Sequence, residues 1–209
     1  MKRLFLLQIV SAAAALLISS LAWGADTSML KPPHGAKVAI VVFEDLECPQ
    51  CARAAPMLHE AAKKYNIPLV QYDFPLRQHP WSYDAAVNAR YFDSKSPKLG
   101  DEYRLYIFSH QNDITKQNLQ GITEKWAEDH KVTLPFVVDP QGEFSKMVDT
   151  DRSLGEKIPL QHTPTIYIVN STGHGPAVTE VPELDQLYQM LDQATKEAGV
   201  TTAQKSQNR

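Results

Sequence analysis

The 209-residue sequence predicts an α/β fold, a mixed sheet carrying an inserted helical domain. Three observations lead there. Lys37 to Phe43 (KVAIVVF) is a short, β-branched, almost wholly apolar run, suited to a central strand covered on both faces. A segment of helical spacing follows, and then Pro68 to Phe74, a second strand-like run; this order predicts a parallel pair joined by a right-handed crossover. Late in the chain, Thr165 to Val169 and Ala177 to Val181 flank the turn-forming Ser171-Thr172-Gly173, so a hairpin closes the sheet in mixed sense.

Taken in order, residues 1–24 have a basic start, an apolar stretch from Leu4 to Trp23 and the small-residue exit Ala22-Trp23-Gly24. That pattern predicts a secretory signal removed from the mature protein, with an uncleaved anchor as the alternative. Its removal leaves 19 basic against 24 acidic residues, a formal charge of −5 against −3 for the whole chain. With no basic cluster, nucleic acid is disfavoured as a partner. Residues 25–36 are a lead-in broken by Pro32, Pro33 and Gly35. Residues 37–198 form one cored domain.

Within that domain, Cys51, Ala55, Leu58, Ala62 and Tyr65 recur at helical steps and share one face of a helix from Pro49 to Tyr65. Pro49 suits the first turn, and Pro56 should kink the helix later. The insert, about residues 81–158, carries four helical pieces: one around Ala85 to Tyr91, one from Tyr103 to His110, one around Ile122 to Ala127, and one from Phe144 to Leu154. Leu184, Leu187, Leu191, Ala194 and Ala198 mark a final amphipathic helix, and residues 199–209 a polar tail. No repeat or low-complexity tract is present.

The chemistry concentrates in Glu47-Cys48-Pro49-Gln50-Cys51, which holds the chain's two cysteines. A disulfide between them closes almost no loop, so it is a poor staple. No second cysteine pair exists to complete a zinc site. Two thiols at a helix start can, however, gain and lose two electrons together, and an export signal places them where disulfides persist. At that helix start, unpaired N–H groups and the positive end of the dipole face the Cys48 sulfur and favour its thiolate. A fall in pKa from about 8.5 to about 4–6 corresponds to roughly 3–6 kcal/mol of thiolate stabilisation. That stabilises the reduced form and makes the disulfide a stronger oxidant. Cys51, on the apolar face, should be buried and protonated. Cys48 is then the exposed exchanging sulfur and Cys51 the resolving thiol. Glu44, Asp45 and Glu47 oppose the thiolate, but as exposed carboxylates they are expected to be screened.

The second feature is Gln161-His162-Thr163-Pro164-Thr165, directly before a strand. X–Pro bonds in folded proteins are overwhelmingly trans, so the residues alone do not make this one cis.

The segment from Phe43 to Cys51, Phe74-Pro75-Leu76, His79-Pro80-Trp81 and Thr163-Pro164-Thr165 together resemble the DsbA-like thiol–disulfide oxidoreductases of bacteria, thioredoxin-fold proteins, over roughly residues 37–198. The resemblance implies a thioredoxin-like mixed sheet with an inserted helical domain. It implies Cys48 and Cys51 as catalytic cysteines and Pro164 as a cis-proline. Pro49, Gln50 and Thr163 are the implied substrate-binding residues. The loop would offer backbone groups to an extended peptide by strand addition. The implied activity is a periplasmic exchange that donates a disulfide to exported proteins, with a membrane quinone-linked partner restoring it and no cofactor required. Two positions depart from the family pattern. Val42 stands where many relatives carry an acid that assists proton transfer to the buried thiol, leaving Glu44 or water to substitute. Gln50 stands where the best-known oxidases carry histidine. A reductase or isomerase of the same fold, a cysteine-based metal module using His162, and a peptide-binding chaperone are the alternatives.

Other residues have ordinary readings. His162 is expected in a solvent-facing loop, and Trp81 packs against the insert. Tyr103, Tyr106, Ile107 and Phe108 form insert core, and Glu60, Lys63 and Lys64 a solvated helix face.

Overall fold

The computed structural model describes residues 26–158 and 160–200. The expected leader and residues 201–209 of the tail lie outside the described residues.

A four-stranded sheet runs in the order β2-β1-β3-β4, formed by β1 (Val38–Glu44), β2 (Leu69–Asp73), β3 (Thr165–Asn170) and β4 (Val178–Glu180). β1 pairs parallel with β2 and antiparallel with β3, and β3 pairs antiparallel with β4. All seven residues of β1 are buried, as the unbroken apolar run requires. Its side chains divide by parity. Val38, Ile40 and Val42 pack with α1 (Pro49–Tyr65) and α6 (Leu187–Glu197). Ala39, Val41 and Phe43 pack on the opposite face with Leu30, Ile158, Tyr167 and Val169. The lead-in is therefore anchored at Leu30, 2% exposed.

α1 starts with Pro49, runs without interruption through Pro56 and ends at Asn66, a left-handed cap with φ 52° whose N–H reaches the Ala62 and Lys63 carbonyls. Ala61, rather than the expected Ala62, completes its buried face. Between β2 and β3 lie α2 (Ser82–Lys95), α3 (Pro97–Ser109), α4 (Leu119–Asp129) and α5 (Glu143–Lys157). α2 to α4 share a core of Phe92, Tyr103, Ile107 and Trp126, and that same core contains Cys48, Cys51 and Trp81. The insert is thus a wall of the site and not only a cap beside the sheet. The final amphipathic segment begins as a 3-10 turn, Leu184–Gln186, before α6.

Candidate active site

The central strand delivers the chain to the site and a buried carboxylate turns it. Asp45, 1% exposed, follows β1 directly. Its side chain accepts hydrogen bonds from Glu47 N at 2.7 Å, Leu76 N at 2.7 Å, Ser82 Oγ at 2.6 Å and His79 Nδ1 at 2.8 Å. Its carbonyl accepts from Cys48 N at 3.0 Å. These bonds hold the Asp45–Cys48 turn, and α1 starts at once because Pro49 needs no donor partner in a first turn.

Cys48 is the N-cap residue of α1, with extended backbone (φ −79°, ψ 120°) and no acidic residue in the first helical turn. Its thiol donates to the Thr163 carbonyl at 3.3 Å. As a thiolate it accepts from the Cys51 thiol, from Thr163 and from the amides of Cys51 and Gln50; against its partial burial these hold the pKa down at about 5, from an ordinary 9.0. Cys48 is not the exposed sulfur the sequence suggested: only 6% of its surface is accessible. Thr163 covers it from one side and the insert core from the other, while Pro49 and Gln50 beside it are exposed. Cys48 belongs to the hydrophobic core shared with the insert, with the Thr163 carbonyl as its polar neighbour.

Cys51 is 1% exposed and receives the Asp45 N–H on its sulfur at 3.4 Å. Burial pushes its thiol well above the ordinary range, and its hydrogen bond to Cys48 and the charge there push the same way. Both cysteines are free rather than joined in a disulfide.

Glu44 and Asp45 are not screened surface charges. Glu44 is 3% exposed because it closes a strand buried on both faces. Burial raises its carboxyl to about 7, against the pull of Arg104, and the carboxyl lies close enough to Cys51 to oppose that thiol's ionisation. Gln71 Nε2 donates to it at 3.0 Å, and Arg104 Nε lies 3.9 Å away. Behind it, Arg104 grips Asp93 through two bonds of 2.8 and 2.9 Å and approaches Asp73 at 3.6 Å. Arg90 pairs with Asp73, Asp93 and Asp151. Burial works against the Arg104 charge, but Asp73, Asp93 and Glu44 outweigh it and keep the guanidinium ionised. The cluster holds four carboxyls and two guanidiniums, so a proton on Glu44 near neutral pH relieves an excess of buried negative charge.

The loop before β3 arrives as expected. Thr163–Pro164 is a cis peptide bond, and among the described residues the buried Thr163 hydroxyl has no hydrogen-bond partner. His162 is exposed, its Nδ1 donating to the Pro164 carbonyl at 3.0 Å. Among the described residues no three His, Cys, Asp or Glu side chains cluster as a metal site needs. Trp81 is 3% exposed in the core that also holds the two cysteines, and its N–H donates to Glu47 Oε2 at 2.9 Å. Tyr103, Ile107 and Phe108 are buried in the insert.

Two site residues escaped sequence reasoning. Gln111 Nε2, from a 3-10 turn after α3, donates to the Leu46 carbonyl at 2.7 Å and the Cys48 carbonyl at 3.1 Å. Arg104 sits in the middle of an amphipathic helix. Neither lies in a motif; only a buried arginine on an apolar face carries any signal, and it becomes visible once the helix is placed.

A family model described as thioredoxin matches residues 27–193. Among solved structures, Wolbachia pipientis alpha-DsbA1 is 16% identical, with a TM-score of 0.67 over 83% of this chain and 97% of that one. Oxidised BdbD from Bacillus subtilis is 18% identical, with a TM-score of 0.61 over 79% and 91%. Reduced DsbA1 from Neisseria meningitidis is 19% identical, with a TM-score of 0.58 over 82% and 92%. These likenesses establish the fold. The chain is also similar to a curated protein named Na(+)/H(+) antiporter NhaA 1 from Salinispora arenicola, 26% identical over 157 residues and 72% of this chain. It spans about 23% of that relative's length. Among the described residues no helix is long and apolar enough to cross a membrane.

Proposed function

The chain belongs to the thioredoxin family, and on that premise we propose that it is a protein thiol–disulfide oxidoreductase that donates a disulfide to exported proteins. The observation that carries this reading is the contrast between the two sulfurs. Donors converge on Cys48 and hold its pKa at about 5, whereas the adjacent Cys51 is buried and held protonated.

Starting from the Cys48–Cys51 disulfide, a substrate thiolate attacks the Cys48 sulfur. A substrate–Cys48 bond forms, the Cys48–Cys51 bond breaks, and Cys51 leaves as a thiolate. Cys51 then takes up a proton, for which the Glu44 carboxyl, raised to about 7, and water are the candidate donors. A second substrate thiolate attacks the substrate sulfur of the mixed disulfide and expels Cys48 as a thiolate. The substrate loses two electrons and the cysteine pair gains them. Cys48 is a good leaving group because the Cys51 thiol above all, and then Thr163 and the first amides of α1, stabilise its charge. Pro49, Gln50, Thr163 and Pro164 form the surface a substrate strand would meet.

The low Cys48 pKa favours the oxidising direction, even with neutral Gln50 between the cysteines. Equilibration with glutathione tests the direction: a potential near about −120 mV supports an oxidase, and one near about −270 mV supports a reductase. Cys48→Ser should abolish both insulin reduction and oxidation of a reduced peptide, and Cys51→Ser should accumulate mixed disulfides. Full activity in Cys48→Ser overturns the reading. The leader-like residues 1–24 support a periplasmic site of action, and the resemblance to DsbA-like proteins a membrane quinone-linked partner, which fractionation and copurification from membranes would test.

A further inference from the structure

We propose that Gln111, supplied by the helical insert, is a positioning residue for the nucleophilic sulfur: by holding the Leu46 and Cys48 carbonyls it keeps the start of α1 set against the Cys48 sulfur. This rests on the thiol–disulfide reading above and names what tunes that site.

A carboxamide nitrogen carries two hydrogens, so the bonds of 2.7 Å to Leu46 and 3.1 Å to Cys48 are made together. They fix two rigid peptide planes, one on each side of the Glu47–Cys48 linkage. The plane between Cys48 and Pro49 has no N–H, so its carbonyl is its only hydrogen-bonding handle. That carbonyl is held from the α1 side by Ala52 N at 3.1 Å and from the insert side by Gln111. Fixing it fixes ψ of Cys48, and with it where the start of α1, with its unpaired amides and the positive end of its dipole, stands relative to the sulfur. Gln111 is itself anchored. Ile114, three residues on, is buried in the core shared by the insert and the cysteines, and Asn118 Nδ2 donates to the Asp113 carbonyl at 2.8 Å. Gln111 thereby adds a directional link between the insert and the redox sulfur to the apolar packing of Cys48 in the same core.

Gln111→Met keeps length and bulk but removes the donor. Asn118→Ala loosens the same turn without touching either carbonyl. In the full-length reduced protein, thiolate absorbance against pH reads the Cys48 titration, equilibration with glutathione reads the exchange constant, and thermal melting tracks stability. Gln111→Met is expected to raise the Cys48 midpoint by about half a unit to one unit and to weaken the disulfide as an oxidant by about three- to tenfold. Asn118→Ala is expected to lower the melting temperature and move neither quantity. An unchanged midpoint in Gln111→Met, or an equal shift in Asn118→Ala, overturns the inference while wild-type exchange leaves the functional reading standing. A wild-type protein that exchanges no disulfide with glutathione overturns both.

Discussion

At the scale of single residues, the site depends on two ionisable groups displaced in opposite directions. Cys48 is pulled down to about 5 and Glu44 pushed up to about 7. The displacement of Glu44 has a defined sign. Its folded pKa lies above the ordinary 4.5, so its contribution to stability is intact below pH 4.5 and is lost as pH rises through about 7. Glu44→Gln, which removes the charge and keeps a hydrogen-bonding side chain, should therefore leave stability at pH 4 nearly unchanged. At pH 8 it should raise stability by about 1–3 kcal/mol, read by urea denaturation. The proposed proton transfer to Cys51 predicts slower turnover in the same variant. A stabilised protein with undiminished turnover would assign Glu44 a purely structural cost.

At the scale of elements, the decisive joint is the turn between β1 and α1. Asp45 satisfies two backbone amides, a hydroxyl and an imidazole from a fully buried position. Asp45→Ala leaves those donors without an acceptor and should cost about 3–5 kcal/mol in denaturant unfolding. A loss below about 1 kcal/mol would mean the turn is held by packing. The open edge of β2 is guarded in a similar way. Arg90 donates to the Gln71 carbonyl at 3.2 Å and Asp151 accepts from Asp73 N at 3.1 Å, so backbone groups that would otherwise template another strand are occupied. Asp151→Ala frees one of them and removes one of the three carboxylate partners of Arg90. It should lower stability by about 2–3 kcal/mol and increase aggregation, measured by unfolding and light scattering.

At the scale of the whole molecule, redox state and stability are linked. The Cys48 pKa is depressed in the folded dithiol, so its contribution is fully present above about 9, the ordinary thiol value, and is lost as pH falls through about 5. At pH 7 roughly half of it remains, on the order of 2–3 kcal/mol. The Glu44 term runs the other way between pH 4.5 and 7 but is present in both redox forms, so the difference between them isolates the thiolate. The stability of the reduced protein relative to the disulfide form should grow from pH 5 to pH 9. Calorimetry of the two forms across that range checks it. A gap that does not vary with pH would remove the basis for an oxidising potential.

Much of this protein was legible in the order of its residues. Uniform apolarity marked β1, heptad-like spacing marked α1, and the Cys48–Cys51 pair at a helix start already implied unequal sulfurs. These are local facts, set by period, by proline placement and by the amides left unpaired at a helix end. Tertiary structure alone decided which polar groups are shielded from water. Glu44 and Asp45 look like surface acids in sequence, yet both are buried, Glu44 beside Gln71 and Arg104 and Asp45 as the hub of the β1–α1 turn, because β2, the loop after it and the insert close around them. Cys48 looks exposed, yet it is covered by Thr163 and the insert. Gln111 and Arg104 reach the site from 56–63 positions away. Desolvation depends on everything packed within a few ångströms, and those neighbours come from distant segments that no local window contains.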